Sequence, residues 1–329
     1  MTDSPAAAPE SVALRHRLEY WGLSTLIWII CRMPFSWLRP MANAIGSVVY
    51  WCDARGRQVA LANLDAAFGD TFSPARKAEI SRASYQNFAR TMIELFWSPN
   101  LTRDFVESIL DPVGLDNHPC HTDPNQAAIY LCLHYSNFEW LSQFSAFYIS
   151  TGPVVTQRFK NPLISQVFNR LRSSTGHSIL PQERAMIRML KHLKGGGKFH
   201  MLVDLNLDPS EPSVIINEFD GLKTCVTQMH VALAARTGAL LVPAECRPLP
   251  DGRYRMKLHK PLEFPEGATP AEIAQRCWDA LEPSLREQPE CWLWPYKHWR
   301  FRPEGDTSGR YPFYANVAKR FDKLLRKNG

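Results

Sequence analysis

Apolar and polar positions repeat with two different periods along this chain, and the change of period marks its elements. Residues 127–133, Ala-Ala-Ile-Tyr-Leu-Cys-Leu, form an unbroken apolar run that is short and partly β-branched or aromatic. Such a run reads as a buried strand. Further strand-like runs lie at 153–157, 198–203, 240–245 and 254–259. Around them, apolar residues recur every three to four positions over 138–148, 162–172, 182–194, 226–236 and 271–287, the spacing of helices with one buried side. Strands alternating with helices predict an α/β fold whose central sheet is mostly parallel and flanked by helices. One edge is expected to turn back at Leu249-Pro250-Asp251-Gly252.

Upstream, Ser73 and Pro74 open a long helical pattern running to residue 97. Its stripe of Ile80, Tyr85, Phe88, Met92 and Phe96 reads as core packing. Before it lie two dense apolar runs, 20–31 and 41–52, separated by Pro34 and flanked by Arg17 and Arg32. Both fall short of the roughly 20 residues a spanning helix needs. They predict either two helices lying in a membrane interface as a monotopic anchor, or two core helices of a soluble domain. Residues 1–11, rich in Ala, Pro and Ser, predict a disordered tail without a signal-peptide pattern. Residues 101–124 read as a Pro-broken connection, and 311–327 as an amphipathic helix. That last helix would set Phe313, Val317, Phe321 and Leu324 on one side and Lys319, Arg320, Lys323, Arg326 and Lys327 elsewhere.

Composition narrows the partners. With 45% apolar residues in 329, the chain can bury a core. Its 10 Trp, set near Arg and Lys, suit a membrane–water boundary. A net charge of +6 favours an anionic membrane surface or an acidic protein. The same sign suits nucleic acid, but no zinc-finger, P-loop or RNA-binding signature accompanies it, so none is expected as a partner. The 8 Cys are scattered without a C-x-x-C pair, a reduced, cytosol-facing pattern. His118-Pro119-Cys120-His121 is the one tempting metal cluster, too tight in sequence to surround an ion unaided; no metal and no cofactor are expected.

The candidate chemistry sits where the 127–133 strand ends: His134-Tyr135-Ser136-Asn137-Phe138-Glu139. In open α/β sheets ligands bind at the carboxyl ends of the strands. His134 and Glu139 are five apart, about 140° on a continuous helix, so they meet only if His134 precedes the helix and Glu139 reaches back from its first turn. That arrangement would let a carboxylate hold the imidazole Nδ1 proton and leave Nε2 as a base. Ser136-x-x-Glu139 is equally a capping box that starts a helix without catalytic meaning. With no G-x-S-x-G elbow in the chain, a base acting directly on a substrate hydroxyl is the simpler chemistry. Arg158 and Asp204 stand at two further strand ends and would converge with His134 on one crevice.

These residues carry a resemblance. The H-x-x-x-x-E motif of His134 and Glu139, with Asn137 two before the acid, resembles that of the bacterial lipid A biosynthesis acyltransferase family, within the glycerolipid acyltransferase-like group. The likeness spans roughly residues 15 to 303. Asn63-Leu64-Asp65-Ala66-Ala67-Phe68 is similar to the family's N-L-x-x-A-F, and Arg158-Phe159-Lys160-Asn161-Pro162 to its R-x-x-N-P. Leu193-Lys194-Gly195-Gly196-Gly197 and Asp204 stand in its L-K-x-G…D-Q-D block, and Phe219-Asp220-Gly221 with Thr224 in F-F-G-x-x-x-x-T. Pro289-Glu290-Cys291-Trp292-Leu293-Trp294 and Trp299-Arg300-Phe301-Arg302-Pro303 match its terminal block. Asp204-Leu205-Asn206 in place of D-Q-D, and Asp220 in place of Phe, are departures.

The resemblance implies transfer of a fatty acyl chain from an acyl thioester, on acyl carrier protein or coenzyme A, to a hydroxyl of a membrane glycolipid such as a lipid A precursor. His134 and Glu139 would be catalytic. Arg158, Asn137, Lys160, Asn161, Asp204, Gly221 and Thr224 would bind substrate or orient the site. The organisation it implies is a tail (1–15), membrane-associating helices (16–60), an α/β acyltransferase domain (61–305) and a basic C-terminal helix (306–329). The place is the cytoplasmic face of the bacterial inner membrane, peripheral or monotopic. Another lipid acceptor, a non-catalytic lipid-binding protein, and a hydrolase using the same base on water are the rival readings. Trp292, Trp294, Trp299 and Arg300 are expected to be structural or interfacial.

Overall fold

A computed structural model describes residues 13–116, 118–182 and 185–328. The tail expected over 1–11 lies outside the described residues. Four helices come first: α1 (Leu14–Ile30), α2 (Phe35–Cys52), α3 (Ala54–Phe68) and α4 (Pro74–Trp97). The next stretch holds α5 (Arg103–Ile109), β1 (Leu110–Val113) and the single-turn α6 (Pro119–Thr122). Strands and helices then alternate: β2 (Ala128–Cys132), α7 (Phe138–Tyr148), β3 (Pro153–Thr156), α8 (Pro162–Arg172), β4 (Ser178–Pro181), α9 (Ala185–Lys194) and β5 (Lys198–Leu202). After β6 (Ser213–Glu218) and β7 (Leu222–Thr227) come α10 (Met229–Thr237), β8 (Leu240–Pro248) and β9 (Tyr254–Leu258). The chain closes with α11 (Pro270–Asp279), α12 (Glu282–Glu287), β10 (Phe301–Arg302), β11 (Asn316–Val317) and α13 (Lys319–Asn328).

The central sheet has the order β1-β9-β8-β2-β5. β2 runs parallel to both neighbours, while β9 runs antiparallel to β8. The turn expected at 249–252 makes that reversal, closed by Leu249 N–H to Arg253 O at 2.7 Å. β2 shows why its residues read as a continuous apolar run. Ile129, Leu131 and Leu133 pack in one hydrophobic cluster, and Ala128, Tyr130 and Cys132 in another. Successive side chains of a strand point to opposite faces, so a strand covered on both must be apolar throughout. α3, α9, α10 and α11 cover one face; α1, α2, α4, α7 and α8 cover the other.

Several expectations are corrected. The 101–124 connection contains a strand: β1 pairs in parallel with β9 and forms the sheet edge. Its Pro112 lies on that edge, where a missing N–H is tolerated. β3 leaves the central sheet and pairs with β4 instead. The β6–β7 hairpin takes residues through 227, so the helix expected from 226 begins at Met229. The C-terminal helix starts only at Lys319, because 316–317 pair with 301–302. Phe321 is buried against Ile215 and Cys225, whereas Phe313 is exposed.

Candidate active site

The register of two strands builds the site. β2 pairs with β5 so that Cys132 lies opposite Leu202. Two residues further on, His134 therefore comes level with Asp204. The imidazole Nδ1 faces Asp204 Oδ1 at 2.9 Å, and the His134 backbone N–H donates to Oδ2 at 2.8 Å. Trp292 Nε1 donates to the same Oδ2 at 2.9 Å. The Asp204 side chain has no solvent exposure, while His134 keeps 18%. Burial works to raise the Asp204 carboxyl, but the imidazole and the Trp292 N–H overcome it and bring it down to about 2. Asp204 is thus a buried anion gripping one side of the ring, and Nε2 makes no hydrogen bond to a described residue.

The pairing expected between His134 and Glu139 is not the one observed. Glu139 stands in the first turn of α7, as expected, but Arg172 from the last turn of α8 takes its carboxylate. Arg172 Nε lies 3.2 and 3.0 Å from the two oxygens, and Nη2 lies 2.5 Å from Oε1. This two-toothed contact is the strong form of an Arg–carboxylate bond. A charged side chain that is only 8% exposed, as this one is, needs such a partner. Phe138, between the two, sets its ring edge-on to the imidazole at 4.9 Å.

The turn between strand and helix is held from two directions. Ser136 has φ 51°, the left-handed region, so it is not the helix cap. Its N–H donates to Cys291 O at 2.7 Å, and its carbonyl accepts from Thr91 Oγ1 at 2.9 Å. Asn137 is the cap, accepting from Trp140 N–H at 2.9 Å. The capping-box reading of Ser136 is thereby corrected by one residue. The Asn137 amide donates to buried Glu94 of α4, which also accepts from the Tyr254 hydroxyl. Burial pushes the Glu94 carboxyl up to about 7 against the pull of Tyr254, Arg90, Asn137 and Arg39.

The other expected residues are more dispersed. Arg158 and Lys160 are exposed beyond β3, which is not part of the central sheet, so the three-strand convergence reduces to two. Asn161 caps α8 through Leu163 N–H and ties it to α1 by donating to His16 O and Glu19 Oε2. Gly221 and buried Thr224 belong to the β6–β7 hairpin. At its tip Phe219, Asp220 and Gly221 have φ of 40°, 62° and 106°. Arg310 secures the turn by donating to the carbonyls of Phe219 and Asp220. Phe219 inserts among Trp278, Trp292, Trp294 and Trp299.

Those tryptophans are therefore interior, and the interfacial alternative for Trp292, Trp294 and Trp299 falls away. Trp292 stacks on His298 at 3.7 Å between ring centroids, and burial lowers that imidazole to about 4, keeping it neutral. In the 118–121 cluster the rings are committed to backbone: His118 Nε2 to His259 O, and His121 Nδ1 to Tyr148 O. Among the described residues no group of three His, Cys, Asp or Glu is placed to hold a metal ion.

The sequence points to His134 and Asp204 but hides Arg172, whose only signal is a cation in the last turn of the helix after next.

An imidazole backed by a buried carboxylate, with its second nitrogen open at the carboxyl end of an α/β sheet, defines a class of enzymes that activate a hydroxyl or a water by general base catalysis. Similarity to known proteins selects within that class. The family model for bacterial lipid A biosynthesis acyltransferases matches residues 7–301. The chain is also similar to the lipid A biosynthesis lauroyltransferase of Escherichia coli (strain K12), with 23% identity over 319 residues, covering 94% of this chain and 99% of that one. This chain belongs to the bacterial lipid A biosynthesis acyltransferase family and is an acyltransferase.

Proposed function

We propose that this enzyme moves a fatty acyl chain from an acyl thioester, carried by acyl carrier protein or coenzyme A, to a hydroxyl of a lipid A precursor. The observation that carries the reading is the His134–Asp204 pair with its open Nε2. Nε2 takes the hydroxyl proton as the oxygen attacks the thioester carbonyl. The C–S bond then breaks, and the imidazolium returns the proton to the departing thiolate. Asp204 stabilises the imidazolium and fixes the tautomer with Nδ1 protonated. Base catalysis of this kind contributes typically ~10²–10⁴-fold.

Glu139, held by Arg172, ties the first turn of α7 to α8 rather than acting as the group on Nδ1. The N-terminal amides of α7 left over by the Asn137 cap suit the oxyanion of the tetrahedral intermediate. Arg158 and Lys160 suit phosphate groups of donor or acceptor. Asn137 and Asn161 position the turn and α8 rather than touch substrate.

The membrane-associating helices belong to the same reading. Trp21, Trp28, Trp37 and Trp51 on α1 and α2 are all more than half exposed, with Val48 beside them at 63%. Arg32 packs over Trp28 at 3.8 Å, and Arg57 near Trp51 at 5.9 Å. Aromatics interleaved with cations fit the headgroup level of an anionic leaflet. No helix among the described residues is long and apolar enough to cross a membrane. On this reading the enzyme lies on the cytoplasmic face of the inner membrane.

The test is acyl transfer with purified protein, an acyl thioester and a lipid A precursor, read by mass spectrometry. One added acyl chain on the precursor is expected, lost in His134→Ala. Release of free fatty acid alone would contradict the transfer reading.

A further inference from the structure

A second cavity lies away from His134, on the side of the sheet covered by α1, α2 and α4. It encloses about 380 Å³ between the start of α2 (Phe35, Ser36, Arg39), α4 (Arg90, Glu94), Ile109 and the β8–β9 turn (residues 248–254). That is within the size range of small-ligand pockets, about 300–1,000 Å³. Its lining carries three arginines against two carboxylates, and both Arg39 and Arg90 act on Glu94 through space. Arg253 is paired with Asp251 at 2.8 Å. Glu94 is already engaged by the Tyr254 hydroxyl and the Asn137 amide. Arg39 and Arg90 make no hydrogen bond or ion pair to any described residue, and Arg90 Nε is buried without an acceptor. An enclosed guanidinium donor with nothing to donate to marks the place of an acceptor supplied from outside.

We propose that this cavity binds the phosphate group of an anionic amphiphile, with Arg39 and Arg90 on the phosphate and Phe35, Ile109 and the Tyr254 ring against its apolar part. Guanidinium is the side chain whose fork matches phosphate oxygens, and two of them converge here. The lining sets these guanidinium groups beside the rings of Phe35 and Tyr254 and the side chain of Ile109. A ligand with a charged head and an apolar body fits this mixed lining better than a free ion. Glu94 joins this cavity to the catalytic turn, since it holds the Asn137 cap of α7 from behind. The assignment does not rest on the acyl-transfer chemistry, and its test reads binding.

The full-length protein is titrated by calorimetry with dihexanoylphosphatidylglycerol below its micelle concentration, and separately with inorganic phosphate. Saturable one-site binding of the lipid is expected, weakened at least tenfold in R39Q/R90Q and less than threefold in R188Q/R326Q, which removes the same charge elsewhere. Because Arg39 is exposed, R39Q alone leaves the interior intact and is expected to weaken binding at least threefold. Phosphate that competes with the lipid would identify the phosphate group itself as the determinant; phosphate that does not would assign recognition to the esterified headgroup. No saturable binding of either probe, or equal weakening in both double variants, overturns the proposal.

Discussion

Glu94 is a residue at which burial and charge conflict openly. It is 2% exposed, yet it organises the α7 cap and the Tyr254 hydroxyl. Burial raises its carboxyl from 4.5 to about 7, so between those values the folded chain holds a proton that the unfolded chain does not. Its contribution to stability is then full below about pH 4.5 and is lost as the pH rises through about 7. A tenfold change in proton affinity is worth about 1.4 kcal/mol, so the contribution reaches about 3 kcal/mol. Urea unfolding at pH 5 and pH 8 should show wild type losing stability relative to Glu94→Gln by up to that amount; a difference constant with pH would contradict it. Trp292 makes a second residue-scale test. Trp292→Phe removes a hydrogen bond to a charged acceptor, worth about 1.5–3 kcal/mol. It should lower kcat roughly 10–100-fold if Asp204 must stay an oriented anion. Unchanged turnover would separate Trp292 from catalysis.

At the scale of elements, contacts near in sequence mislead and contacts far away decide. The strand–helix unit around His134 is legible because its apolar run and its cap are local; α7 and α8 have the bounds their spacing predicts. The partner of His134 is not legible. A carboxylate five residues away looks nearer than one 70 residues away, and only the β2–β5 register makes the distant one adjacent. β6 and β7 are hidden for a different reason. Neither alternates cleanly between apolar and polar residues, so Asp220-Gly221 at the turn stands without the flanking pattern that would mark a hairpin. The Gly-rich stretch after α9 has a backbone cause. Gly196 sits at φ 77°, and a Cβ there would meet Asn125 O at 2.5 Å. Gly46 plays the equivalent part between helices, where a Cβ would come within 2.4 Å of the Gln86 Cα on α4. Gly46→Ala should therefore force α2 away from α4, destabilising the protein by about 1–3 kcal/mol as overpacking does. A thermal midpoint equal to wild type would show that the two helices separate freely.

On the scale of the whole molecule, the proposed membrane contact rests on charge and on exposed apolar surface. The net charge is +6, and the exposed tryptophans gather on α1 and α2. Co-sedimentation with vesicles should show binding that rises with phosphatidylglycerol content and falls with salt, since surface charges are screened beyond about 8 Å at physiological ionic strength. Replacing Trp21, Trp28, Trp37 and Trp51 by Ser should abolish it. Retention of binding in that variant would move the membrane contact elsewhere, with α13 and its exposed Lys323 and Arg326 the next surface to test.

The most direct test of the proton-abstracting pair is the turnover number of Asp204→Asn beside that of Glu139→Gln, with folding of both checked by circular dichroism. An asparagine keeps the shape but not the charge on Nδ1, so kcat for acyl transfer should fall at least ~10²-fold in Asp204→Asn. Glu139→Gln, which keeps a hydrogen-bond acceptor for Arg172, should lose less. Near-wild-type turnover in folded Asp204→Asn, with activity abolished in Glu139→Gln, would contradict the His134–Asp204 assignment and return Glu139 to the imidazole.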